Sequence, residues 1–444
     1  MNNGTIPFHF LRIGSHAEKE YFLNAHENFE GIFINANLIE ATTAASASLI
    51  SNLKNIHNKP FFIDPFTFAF GLKPQLLYVE KKDRKKGTTK IELKSTYANL
   101  SKQYGTVIQD KVNAKTSIQP KDFEKPNTKE ELCHKVLEYQ LTKLSKVFME
   151  DDFFSEEGSI EPIGLIAPYF FIPEIGSWLD LNIDLAKTAR QVNNSKPLYA
   201  IVCFDPRILQ NDNDITELIK KFKQLDVEGY LLWVSGLDEK EFGMNSLKNF
   251  IRIITNLNQN NRKVINMYGG YLSILLSKIG LSGFSHGVGY GAEKDVEPVI
   301  GGVPSVKFYF PPLHERFLFA DIKFVLAQMN TTPEKYKEQI CNCDICNMTI
   351  QNNIDNFDKF GETKPSPNAK PNSRFADREY ATGDSVRLNR IHFLKARHKE
   401  IQIVKNTDLK KLLMELEATN NKYKTYFGYN EHFKIWSEVL LEQS

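Results

Sequence analysis

Cysteine is scarce in this chain: five in 444 residues, which excludes a disulfide framework as the source of stability. Long apolar runs are missing as well, none approaching the roughly 20 residues of a membrane span. The N-terminus shows no charged segment followed by a long apolar one, so no secretory leader is expected. Together these absences predict a cytoplasmic protein without membrane association. An excess of either charge is also absent. A net charge of +2 gives no global electrostatic case for a nucleic-acid partner. A local case does exist, because Lys81, Lys82, Arg84, Lys85, Lys86 and Lys90 form one basic run. No internal repeat is seen.

The few cysteines are not scattered. Three fall within six residues, as Cys341-Asn-Cys343-Asp-Ile-Cys346, and Arg387-Leu-Asn-Arg-Ile-His392 follows. Thiolates this dense in a cysteine-poor chain predict a Cys₃His zinc site, one ion per chain. His392 lies among Leu388, Ile391, Phe393 and Leu394 in a helical apolar pattern and is the expected fourth ligand. His398, between Arg397 and Lys399, is expected in solvent. The polar stretch from Asn347 to Val386, with Pro365, Pro367 and Pro371, is predicted to be an irregular excursion closed at its base by the metal.

With 41% hydrophobic and 25% charged residues, the chain is an ordinary globular one, long enough for a sizeable core. Short apolar runs alternate with helical patterns. Strands are predicted at 31–35, 60–63, 163–167, 198–204, 229–234, 264–267 and 283–285. Helices are predicted between several of them, at 214–225, 246–256 and 271–279. Seven or eight such units over residues 1–330 predict an α/β fold, a (β/α)8 TIM-type barrel, with an open doubly wound sheet as the alternative. An insertion near 80–160, carrying a helix over 129–149, is expected after the second strand. A zinc-binding subdomain is assigned to 331–405. A helical segment over 406–444 is expected to pack on the barrel.

The ends of these strands hold the candidate chemistry. Asp64 and Asp205 each close an apolar run before a proline, and at one barrel mouth they would form a carboxylate pair. Ser285-His286-Gly287-Val288-Gly289-Tyr290-Gly291 sets glycines beside a histidine after a strand, which suits close backbone approach to a ligand. Asp295 is a further carboxylate downstream. Phe66, Phe68, Tyr169, Phe170, Phe171, Trp233 and Tyr268 crowd the same ends; one or two would stack on a purine and the rest pack the core. His314, in Tyr309-Phe310-Pro311-Pro312-Leu313-His314, is expected near solvent without an assigned role.

The Cys-x-Cys-x-x-Cys motif and its histidine helix, on a barrel, resemble the tRNA-guanine transglycosylase superfamily, which includes enzymes that insert 7-deazaguanine bases into DNA. The resemblance implies a structural zinc and exchange of a base at an N-glycosidic bond. It implies DNA or tRNA and a purine or deazapurine base as partners, with a homodimer or a heteromeric partner. Phe62-Ile63-Asp64-Pro65 then falls on the family's base-contacting aspartate, and Ser235-Gly236-Leu237 on the turn that cradles the base edge. Gly287 and Gly289 are carried as base-binding positions. Ser285 stands where the family has its nucleophilic aspartate, with His286 beside it. The Gln-Gly-Gly strand end is replaced by Cys203-Phe204-Asp205, and the third-strand aspartate by Ala167-Pro168-Tyr169-Phe170. A neutral hydroxyl does not stabilise an oxocarbenium-like transition state as a carboxylate does. The expectations are therefore a transglycosylase with Asp64, Asp205, Ser285 and His286 at its centre, a base-removing hydrolase, or an inert subunit that binds nucleic acid or an active partner.

Overall fold

The computed structural model describes residues 8–83, 88–149, 160–193, 196–297, 306–365 and 379–443. They form two compact units. The first comprises residues up to Lys19 together with Glu30–Gly301, and the second comprises Glu20–Phe29 and Gly302–Glu442.

The first unit is a sheet of eight parallel strands: β1 His9–Ile13, β2 Gly31–Asn35, β3 Phe61–Asp64, β4 Leu165–Ile166, β5 Leu198–Phe204, β6 Gly229–Val234, β7 Lys263–Asn266 and β8 Gly283–Gly287. β1 pairs with β2 on one side and β8 on the other, with Phe10 opposite Ser285. The ring nearly closes between β3 and β4, where the Ile163 amide donates to the Phe61 carbonyl at 2.9 Å. Parallel strands need long right-handed crossovers, and here most of these are helices that cover the outer face. Asp212–Lys223 shows why such helices form. The Asn211 side chain caps its first amides, and Ile215, Leu218, Ile219 and Phe222 make one buried stripe.

Strand residues alternate in and out. Phe10, Phe33, Phe62, Tyr199, Leu231 and Ile265 fill the barrel with rings and branched chains, all at most 3% exposed. β5 and β6 coincide with the sequence expectation because both are uninterrupted apolar runs, buried on both faces.

Two features differ from expectation. β1 was not foreseen: His9 and Arg12 break the apolar signal of a five-residue run, yet both are buried. The insertion consequently follows the third strand, and it is shorter than 80–160. Its last helix, Thr128–Met149, belongs to the barrel as the crossover into β4. Gln140 there hydrogen-bonds both the amide and the carbonyl of Ile166, at 2.9 and 2.8 Å. The basic run falls on an antiparallel hairpin, Tyr78–Asp83 with Thr88–Leu93. There Lys81 pairs with Glu92 at 2.8 Å, while Arg84, Lys85 and Lys86 lie outside the described residues.

The second unit contains a hairpin, β9 Lys307–Phe310 and β10 Glu315–Leu318. Phe308, Phe357 and Phe360 form an aromatic core beside it. The tail helix Leu409–Phe427 packs on the same hairpin through Tyr423 and Phe427 against Phe310. The 347–386 segment is more ordered than expected. It holds most of the helix Asp344–Ile350, a helical stretch at Ile354–Gly361, and a small hairpin, Thr363–Pro365 with Glu379–Ala381. Pro367 and Pro371 lie outside the described residues. No helix among the described residues is long and apolar enough to cross a membrane.

Candidate metal centre and barrel mouth

Cys341, Cys343 and Cys346 meet His392 as expected, their four ligand atoms all within 4.8 Å of one another. Cys341 and Cys343 sit on the turn entering the helix Asp344–Ile350, Cys346 lies in its first turn, and His392 lies mid-way along Gly383–Asn406. His392 Nδ1 is 3.9, 3.4 and 3.3 Å from the three sulfurs in chain order. Around a tetrahedral ion with bonds of about 2.3 Å to sulfur and 2.0 Å to nitrogen, donors would lie roughly 3.5 Å apart. The spacing therefore fits a metal.

The histidine is held for that role. Its Nε2–H donates to the Tyr309 carbonyl at 2.8 Å, which leaves the Nδ1 lone pair facing the sulfurs. Phe308 stacks on the ring at 4.5 Å, and no part of His392 is exposed. Burial pushes the Cys346 thiol well up, and Cys341 and Cys343 beside it add to this. Hydrogen bonds from Cys341 and Cys346 hold Cys343 well down. Such a set of competing sulfurs suits a borderline-soft cation that replaces their protons. His398 is half-buried and outside the cluster. His314 is half-buried, its side chain 17% exposed, and its Nδ1 meets the buried Glu400 at 2.6 Å; Glu400 also accepts from the Tyr309 hydroxyl.

The barrel mouth is rearranged relative to expectation. Asp64 does end β3, fully buried. Its Oδ1 accepts from the Tyr169 hydroxyl at 2.9 Å and the Phe66 amide at 3.0 Å, and Arg12 Nη2 donates to Oδ2 at 3.2 Å. Burial, reinforced by Asp64, lifts the Tyr169 phenol well above its usual range, so it remains a donor. Burial also works against the Arg12 charge, but Tyr268 and Asp64 outweigh it and raise the guanidinium pKa.

Asp205 does not join Asp64. It caps the turn Pro206–Gln210, accepting from the Arg207 amide and gripping the Arg207 guanidinium at 2.8 and 3.0 Å. That bond to Arg207 is what lowers the Asp205 pKa. Ser285 faces the barrel interior opposite Phe10 but is fully buried, its hydroxyl donating to the Met267 carbonyl. His286, the next residue on the strand, points to the other face, where its Nε2 meets His9 Nε2 at 2.8 Å. Adjacent strand residues cannot both look into the mouth, so the Ser285–His286 pairing fails on geometry.

The glycines serve packing. A Cβ at Gly287 would lie 2.0 Å from the Gly291 carbonyl carbon, and one at Gly291 would lie 2.4 Å from the Arg12 oxygen. Gly289 leads into the turn Tyr290–Ala292. The Ser235-Gly236-Leu237 turn folds onto the 294–296 segment, with Gly236 at φ +68°. Ser235 Oγ donates to Asp295 at 3.1 Å and accepts from the Val296 amide, and the Gly236 amide donates to the Lys294 carbonyl. Leu237 is half-buried beside it.

These contacts enclose a cavity of about 150 Å³ at the C-terminal end of the strands. Phe66, Phe68, Trp233, Tyr268 and Tyr290 form aromatic walls, and Arg12, Asn35, Glu293 and Asp295 supply polar groups. Asp64 is not part of the lining; it stands behind Arg12. Glu18 ties the opening together, accepting from the Gly14 and Tyr290 amides at 2.9 and 3.1 Å. Arg12 and Asn35 are the residues that sequence reasoning missed. A period-2 reading of the first and second strands, with each polar residue in register with an inward aromatic two positions before it, would have found both. No family model matches the chain, and no curated protein matches it in sequence.

Proposed function

We propose that this chain is a zinc-bearing (β/α)8 protein of the guanine-transglycosylase type, acting on the N-glycosidic bond of a base in DNA or tRNA. The observation that carries the proposal is the aromatic-walled mouth cavity with the Asp295 carboxylate at its opening. A cavity of about this volume takes a benzene-sized ring, so a flipped-out base is the natural guest. Asp295 is exposed at the rim and replaces Ser285 in meeting the sugar. Its negative charge would stabilise an oxocarbenium-like transition state, by direct attack on C1′ or by activating water. Cys341, Cys343, Cys346 and His392 would hold zinc as a closed structural site, cross-linking the 341–346 turn to its histidine helix.

The test is incorporation of labelled guanine into tRNA and into duplex DNA by the zinc-loaded protein, with Asp295→Asn beside it. Incorporation that the variant loses supports the proposal, and base release without incorporation identifies a hydrolase. A second reading, an inert subunit that binds nucleic acid or an active partner, is favoured by the buried, hydrogen-bonded Ser285 and by the locked Arg12–Asp64 pair. That reading gains if wild type and Asp295→Asn are equally silent.

A further inference from the structure

Arg12 is only 2% exposed, and its side chain spans from the core to the cavity. Nη2 is fully engaged, donating to Asp64 at 3.2 Å and to Asn35 at 3.1 Å. The guanidinium lies 4.6 Å over the Tyr268 ring, which fixes its plane. Nη1 is buried and has no hydrogen-bond partner among the described residues. A buried donor left unsatisfied is costly, and the residue that carries it lines a cavity walled by aromatic rings.

We infer that Arg12 is a ligand-contacting residue whose Nη1 takes a carbonyl-type acceptor on a neutral planar ring bound in the mouth cavity. The inference rests on the same cavity as the proposed function but not on glycosidic chemistry. Neutrality follows from the charges around the ring. Asp64 already offsets the guanidinium, and Glu293 and Asp295 add two more carboxylates at the opening. An anionic guest would meet three carboxylates and one cation, whereas a neutral ring with an acceptor edge for Arg12 and a donor edge toward the rim meets complementary groups. Asp64, Asn35 and Tyr268 are then positioning residues: they aim Nη1.

Benzamide and benzoate test this on the full chain, because they share size and shape and differ in charge. Binding is read through intrinsic fluorescence, since Trp233 forms part of the wall. Benzamide is expected to bind about fivefold or more tighter than benzoate. Arg12→Lys keeps a counter-charge for Asp64 but loses the planar fork, and should weaken benzamide roughly tenfold with the circular dichroism spectrum retained. Benzoate binding as tightly as benzamide, a folded Arg12→Lys protein that binds benzamide unchanged, or binding of neither ring would each overturn the inference. If Arg12→Lys does not fold, the wild-type ratio still decides. Base exchange with labelled guanine remains a separate result, so the two ideas fail independently.

Discussion

Replacing Asp64 with alanine should be among the most damaging single changes available in the barrel, although Asp64 lies outside the cavity lining. Its side chain is wholly buried and satisfies three donors, from Arg12, Tyr169 and Phe66. Removing it strands a guanidinium that is 3% exposed, with Asn35 as its remaining Nη2 acceptor. Breaking one side of a buried ion pair costs about 3–5 kcal/mol, and an orphaned Tyr169 hydroxyl adds about 1 kcal/mol or more. The expected loss is therefore about 4–6 kcal/mol, read as a lower urea midpoint at unchanged slope. The double change Arg12→Met/Asp64→Leu removes both charges and should recover at least about 2 kcal/mol of that loss, because no buried charge is left alone. An Asp64→Ala protein within about 1 kcal/mol of wild type, or a double variant less stable than the single one, would refute the account of Asp64 as an anchor for Arg12.

Metal analysis of the purified chain should find one zinc per chain, and His392→Ala or Cys346→Ser should lose it and lower the melting temperature of the second unit. Glu400 is buried, and although burial opposes its charge, Arg397 and His314 prevail and hold it below the ordinary carboxylate range. With its folded pKa depressed, its contribution to stability is present above the unfolded value and is lost as pH falls through the folded one. Acid unfolding monitored on Glu400→Gln should accordingly be less steep below about pH 4.5 than on wild type. Gly291→Ala would drive a methyl to within 2.4 Å of the Arg12 carbonyl oxygen, so a soluble, wild-type-stable variant would contradict the tight packing of that turn on β1.

What the sequence disclosed follows from how far apart the cooperating residues lie. The cysteines signal themselves because metal spacing is local, and His392 follows from one helical periodicity. β5 and β6 are legible for a similar reason: a strand buried on both faces writes its burial into a continuous run. β1 does not, because an arginine in an apolar pentapeptide is tolerable only if a carboxylate 52 residues on comes to meet it. That partner is a fact of the sheet, in which β2 sets β1 and β3 on its two sides, not of either segment. Asp205 misled for the opposite reason. Its role was local all along, an aspartate before Pro-Arg capping the turn it begins, and the barrel mouth never needed it. The Ser285–His286 pair was decidable without coordinates, since a two-residue period admits only one of the two to the interior. Once Phe10 and Ser285 share that interior register, the polar inward position left on β1 is Arg12, which is why this arginine lines the mouth cavity.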